Sequence, residues 1–252
     1  MPLVIAMCQT FVVDGDREGN FRRIEYALEA AKAKGAQLAC FPESALLGWV
    51  NPEAHQLAYP IPGADSDRIC DLARKYGMMI CIGLEEKDGD RLYGSVILVS
   101  AKGELLAKHR KINVLPELMT PPYTPGNVAD IKAVGVDGRR IGLLVCADTF
   151  MGDALKKMAQ QKPDLVLVPY GWAAEKEKWP GHGQALKDTV CKAAQAIGAP
   201  VIGTDCVGLI THGPWTGRTY GGESVAADAA GNVLAVGRDR DEDVVMVKIP
   251  AK

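Results

Sequence analysis

Apolar runs of strand length alternate along this chain with segments whose apolar residues recur at helical spacing, and turn residues punctuate the changes. Residues 3–8 form a first apolar run. Phe21, Ile24, Leu28 and Ala31 then follow one helical face until Gly35. Residues 37–41 read as a strand that Pro42 stops, and Ile69, Leu72 and Tyr76 mark a second helix after Asp65. Residues 78–84 and 95–99 read as adjacent strands joined through Lys87-Asp88-Gly89-Asp90, and a short strand follows the turn at 101–104. Later strands are expected at 140–146, 165–168, 201–204, 224–227, 233–236 and 244–249, with helices at 153–161 and 184–197. Such alternation specifies an α/β fold, and the closely spaced late strands imply mixed sheets. No linker, repeat or low-complexity tract divides residues 1–252, so one domain is expected.

The bulk properties narrow the function classes. A formal charge of −2 and a pI near 6.1 give no basic field for nucleic acid. The one basic run, Lys108-His109-Arg110-Lys111, reads alone as a solvated loop. The N-terminus lacks a basic leader, and no apolar stretch approaches the ~20 residues that cross a bilayer. Seven scattered cysteines without a Cys-x-x-Cys pair argue against a disulfide framework or a zinc ribbon, so a reducing cytoplasm is expected.

Three polar residues stand at the ends of apolar runs. Glu43 closes Ala39-Cys40-Phe41-Pro42; taken alone it is a helix cap or a surface carboxylate. Lys111 opens a loop, residues 110–127, in which Pro116, Pro121, Pro122 and Pro125 prevent helix and central strand. A loop that long inside a compact domain is usually functional, although a lone loop lysine normally faces solvent. Cys146 ends Ile141-Gly142-Leu143-Leu144-Val145. A buried structural thiol is the ordinary reading of any one cysteine. A helix starting just after it would lower the thiol pKa.

Together these segments resemble the nitrilase superfamily of carbon–nitrogen hydrolases. The resemblance rests on Phe41-Pro42-Glu43, Arg110-Lys111 ahead of the proline loop, and an apolar run into Cys146-Ala147-Asp148. Tyr123-Thr124-Pro125-Gly126, residues 164–169, Tyr220-Gly221-Gly222-Glu223-Ser224 and Asp228-Ala229-Ala230-Gly231 extend it over nearly the whole chain. It implies a four-layer α-β-β-α sandwich, commonly a homodimer, acting on a small amide without metal or coenzyme. Cys146 would be the nucleophile, Glu43 the general base and acid, and Lys111 the oxyanion stabiliser, helped by the Ala147 N–H. Glu117 would be a second glutamate positioning Lys111 by hydrogen bonding. Tyr123, Tyr170, Trp172 and His182 are candidates for the substrate pocket, as is Trp49. His55, His109, His182 and His212 are dispensable for the chemistry in this reading, and Asp148 has a turn or cap role.

Two departures narrow the substrate. True nitrilases usually carry Trp-Glu after the nucleophile, where this chain has Ala147-Asp148, so amide hydrolysis is favoured over nitrile chemistry. Relatives that grip a substrate carboxylate often place an arginine two to four residues past the cysteine. Here those positions are Asp148, Thr149 and Phe150, which fits a neutral or cationic substrate better than a dicarboxylate. A carbamoyl amidohydrolase or a nitrilase is the alternative within the fold. A silent binding module is a further one, disfavoured because so costly a buried trio would not be kept. No Gly-x-Gly-x-x-Gly or Walker pattern supports nucleotide binding.

Overall fold

A computed structural model of the chain describes residues 2–179 and 181–251. In chain order the strands are β1 (Leu3–Gln9), β2 (Leu38–Cys40), β3 (Met79–Asp88), β4 (Arg91–Val99), β5 (Leu105–Arg110), β6 (Ala133–Val136), β7 (Arg139–Leu143), β8 (Leu165–Pro169), β9 (Ala173–Ala174), β10 (Val201–Thr204), β11 (Val207–Leu209), β12 (Thr219–Gly221), β13 (Val225–Ala227), β14 (Val233–Val236) and β15 (Asp243–Ile249). The α-helices are α1 (Arg17–Ala33), α2 (Ala54–Leu57), α3 (Ala64–Tyr76), α4 (Gly152–Gln160) and α5 (Gly181–Ile197). Asp16 caps α1 by accepting from the Gly19 N–H, and Gly77 ends α3 in the left-handed region at φ 58°.

Two six-stranded sheets carry the fold, in the orders β15-β1-β2-β3-β4-β5 and β14-β13-β10-β8-β7-β6. Both are mixed. β1-β2-β3 and β7-β8-β10 run parallel, whereas the outer pairs are antiparallel. The alternation of side chains along β1 shows how the layers form. Ala6 and Cys8 face a cluster with Phe21, Ile24 and Leu28 of α1 and Ile69 of α3. Ile5 and Met7 face the opposite way, into a cluster with Leu38, Leu98, Val166 and Val201. That second cluster continues past the other sheet to Met158 of α4 and Leu186 and Val190 of α5. The result is helix, sheet, sheet, helix: the four-layer sandwich.

The expected elements recur with shifts of a few residues. The edge strand β6 and a small three-stranded sheet, β11-β12-β9, were not legible. The α-helix expected directly after Cys146 is instead a 3-10 turn, Cys146–Phe150, and α4 begins only at Gly152. Among the described residues, no helix is long and apolar enough to cross a membrane.

Candidate active site

Glu43 and Lys111 come from the first sheet and Cys146 from the second, so the site lies on the seam between them. Past β2 the chain turns sharply at Pro42. Gly83 makes room for this: a Cβ there would lie 2.5 Å from the Glu43 Cα. The Glu43 N–H donates to the Tyr170 carbonyl at 3.1 Å, joining this turn to the chain just beyond β8 of the other sheet. Lys111 follows β5. Its N–H donates to the Gly94 carbonyl, and its own carbonyl accepts from the Gly126 N–H, each at 2.8 Å. The proline loop thus closes over the lysine stem.

The Lys111 Nζ lies 2.6 Å from Glu43 Oε1, and the two side chains are each 3% exposed. The ammonium also sits 5.4 Å from the centre of the Trp49 ring. Burial by itself would lower the Lys111 pKa, but the negative charge of Glu43 leads the effects that outweigh it, and the net direction is upward. Lys111 is therefore a fixed cation. The other oxygen, Glu43 Oε2, is buried without a hydrogen-bond partner. It lies toward Gly171, where an added Cβ would sit 3.3 Å away. A carboxylate oxygen left open beside a thiol is equipped to take a proton.

Cys146 is buried and adopts φ 40°, which a non-glycine residue holds only when its surroundings impose it. The Thr149 hydroxyl donates to the Cys146 carbonyl at 2.7 Å and lies 3.2 Å from the Tyr170 hydroxyl. The expected lowering of the thiol pKa is overturned. Burial first, and the Glu43 charge second, push the thiol well above its ordinary range, while Lys111 and the Gly171 N–H oppose this. One 3-10 turn supplies too little dipole to compensate. The direction favours a protonated sulfur at rest.

Asp148 ties the halves of the site together. It is fully buried. Oδ1 accepts from the backbone N–H groups of Ile112 and Asn113 at 2.8 and 3.0 Å, directly after Lys111. Oδ2 accepts from the Val145 N–H at 3.0 Å and lies 2.9 Å from His109 Nε2. Although burial would raise its pKa, these donors, His109 foremost, hold it below the ordinary carboxylate value. The cap role inferred from sequence is thus one part of a clamp between the lysine loop and the cysteine turn. In Asp148→Asn the amide would turn an N–H toward Val145 and His109. We expect a loss of about 1.5–3 kcal/mol, the scale of hydrogen bonds to a charged group, measured by urea denaturation.

A cavity of about 130 Å³ opens at the sulfur, lined by Trp49, Leu115, Cys146, Ala147, Phe150, Gly171, Trp172, Ala173, His182 and Trp215. Its walls are aromatic, with no lysine, arginine, aspartate or glutamate among them. The His182 ring stacks on Trp172 with centroids 5.1 Å apart, and the His182 carbonyl accepts from Trp172 Nε1 at 3.0 Å. Burial lowers the His182 pKa, so the ring is neutral near pH 7.

The sequence-based assignments separate accordingly. Glu43, Lys111, Cys146 and Ala147 converge, and Trp49, Trp172 and His182 line the cavity. Tyr170 is fully buried beside the Cys146 turn and is not part of the lining. Tyr123 is packed in the helix-side core and is likewise not part of the lining, which corrects its assignment to the pocket. Glu117 is corrected too. It is exposed on the 3-10 turn Pro116–Leu118, and no hydrogen bond joins it to Lys111. Sequence reasoning missed His109 as the partner of Asp148 and Trp215 as a cavity wall. Strand alternation two residues before Lys111 was a usable signal for His109. Trp215 comes from a distant turn and left none.

Comparison with known proteins places these residues in context. The profile of the carbon-nitrogen hydrolase family matches residues 4–252. A nitrilase from Pyrococcus abyssi is 25% identical over 91% of this chain and 83% of its own length. An (R)-stereoselective amidase from Pseudomonas sp. is 28% identical over 92% and 80%. Among solved structures, an amidase from Nesterenkonia sp. AN1 in complex with butyramide superposes with a TM-score of 0.84 at 23% identity, covering 98% of this chain and 91% of that one. Another form of that amidase carries the acetamide moiety of fluoroacetamide on its active-site cysteine. At this identity the superposition establishes the fold alone.

Proposed function

The chain belongs to the carbon–nitrogen hydrolase family, and from that premise we propose that it hydrolyses small uncharged amides through a thioester on Cys146. The carrying observation is the buried 2.6 Å pair of Lys111 and Glu43, whose second oxygen is buried without a hydrogen-bond partner and lies toward Gly171 of the cavity wall. Burying an ion pair costs desolvation that stability alone does not require, whereas catalysis needs both charges where they are. Glu43 Oε2 takes the Cys146 proton as the sulfur attacks the amide carbon. The carbonyl electrons move to oxygen, and Lys111 with the Ala147 N–H stabilises that charge. When the oxyanion collapses the C–N bond breaks, and the nitrogen leaves as ammonia with the proton from Glu43. Water then gives a proton to Glu43 and its oxygen to the thioester. The C–S bond breaks, carboxylic acid leaves, and the sulfur regains its proton.

The cavity supports the substrate class. At about 130 Å³ it has room for a short acyl group at the sulfur. Its uncharged lining offers nothing to a substrate carboxylate, which disfavours carbamoyl amino acids and dicarboxylate amides. Butyramide, bound by the Nesterenkonia amidase, is of the favoured size and charge. The reading includes a homodimer, as the resemblance implies, and a cytoplasmic setting, as the scattered cysteines suggest. The test is ammonia release from matched aliphatic amides, ureido acids, dicarboxylate monoamides and nitriles. We expect turnover of short neutral amides, with an acyl mass on Cys146 after rapid quenching. Ammonia together with carbon dioxide from ureido acids, and none from amides, would overturn it.

A further inference from the structure

Glu85 is a buried carboxylate near the site that this mechanism leaves unused; Asp205, also fully buried, is another, and it accepts from the Trp172 N–H at 2.8 Å. Glu85 stands on β3 directly opposite Gly94 of β4, the residue whose carbonyl holds the Lys111 N–H. It is 3% exposed, and neither of its oxygens makes a hydrogen bond of ordinary length. Its surroundings come from four elements. Glu43 and Ser44 face it from the turn after β2, Asp65 from α3 and Tyr123 from the proline loop, while Arg17 of α1 is already paired with Asp65 at 3.0 Å. The Tyr123 hydroxyl and Glu43 Oε2 also lack hydrogen-bond partners. Among the described residues, the nearby cations Lys111 and Arg17 are already engaged by Glu43 and Asp65. An unpaired buried charge costs several kcal/mol, and such a group neutralises instead.

We propose that Glu85 is a positioning residue of this site: a protonated carboxyl group beside Glu43 that leaves Glu43 as the single partner of Lys111, and whose ionisation at alkaline pH draws the field of Lys111 away from the oxyanion. The proposal rests on the amidohydrolase reading. Burial, opposed by the Ser44 hydroxyl and assisted by the Glu43 charge, raises the Glu85 pKa to about 8. Glu117 cannot take this part from its exposed turn.

The test compares wild type, Glu85→Ala and Glu85→Gln from pH 5 to 10. Glu85→Ala is expected to lower kcat on a short amide about tenfold at pH 7 with KM little moved. Glu85→Gln, the shape of the neutral acid, should recover most of that loss. The wild-type rate should fall above about pH 8, and the Gln variant should lack that limb. Alkylation of Cys146 by iodoacetamide supplies a readout that needs no substrate, with an inflection near pH 8 in wild type that is absent from Glu85→Gln. Thermal melting checks the protonation itself. The folded state keeps a proton that the unfolded chain releases above its ordinary pKa, so this group's stabilising contribution is lost as pH rises toward 8. Glu85→Gln should therefore gain on wild type in melting temperature between pH 5 and 8 and gain no more beyond. Superimposed pH profiles, or an alanine variant as active as wild type, would overturn the proposal. Failure of wild type on every amide, with the alkylation inflection intact, would sink the amidase reading and leave Glu85 standing.

Discussion

Cys146→Ala is expected to abolish amide turnover, with kcat falling on the order of 10⁴-fold or more, while the protein still folds. The loss is of this size because every covalent step passes through the sulfur, and neither Glu43 nor Lys111 can replace it as a nucleophile for an amide. Little structural change should follow. The thiol fills a small space on the cavity wall, and the turn is held by the Thr149 hydroxyl on the Cys146 carbonyl and by Asp148 on the Val145 N–H, contacts that alanine leaves intact. The measurement is ammonia release together with a urea melt on the same preparation. A variant that retains a tenth of the wild-type rate would place the chemistry elsewhere.

Lys111→Met should damage catalysis and stability together. Methionine follows the lysine stem, so packing against Gly94 and Trp49 is largely kept and the charge is the main thing lost. Glu43 then stays buried with neither oxygen paired. Breaking one side of a buried pair costs about 3–5 kcal/mol. Lys111 is the oxyanion stabiliser in the proposed mechanism, and its removal is expected to cost a further ~10²–10³ in kcat. Denaturant melts and single-turnover rates separate the two effects. A variant as stable as wild type would show that the pair contributes no net stability and is held for chemistry alone.

How far the sequence disclosed this can be argued residue by residue. The elements bearing Glu43 and Cys146 end where Pro42 and the Cys146 turn interrupt apolar runs, and such interruptions are local, so they were legible. Lys111 became legible only in company, because nothing within a few residues says that a loop lysine is buried. The lowered thiol pKa failed because it was argued from one helix end, whereas burial and the charge of Glu43, more than a hundred residues away, decide it. Glu85 sits near the end of β3, which is buried on both faces as far as Glu86, and nothing within a few residues of it says what covers it. β6 carries only small and valine side chains around Gly135 and is half-covered, so it offered no periodic signal.

Because Glu43 and Lys111 ride on one sheet and Cys146 on the other, neither half of this molecule holds all three groups of the proposed chemistry. A nascent or partly unfolded chain exposes seven cysteines, yet none of them is paired with a proton acceptor until the two sheets have docked. Reactivity is thus a property of the finished assembly, and the apolar layer between the sheets serves as its safety catch.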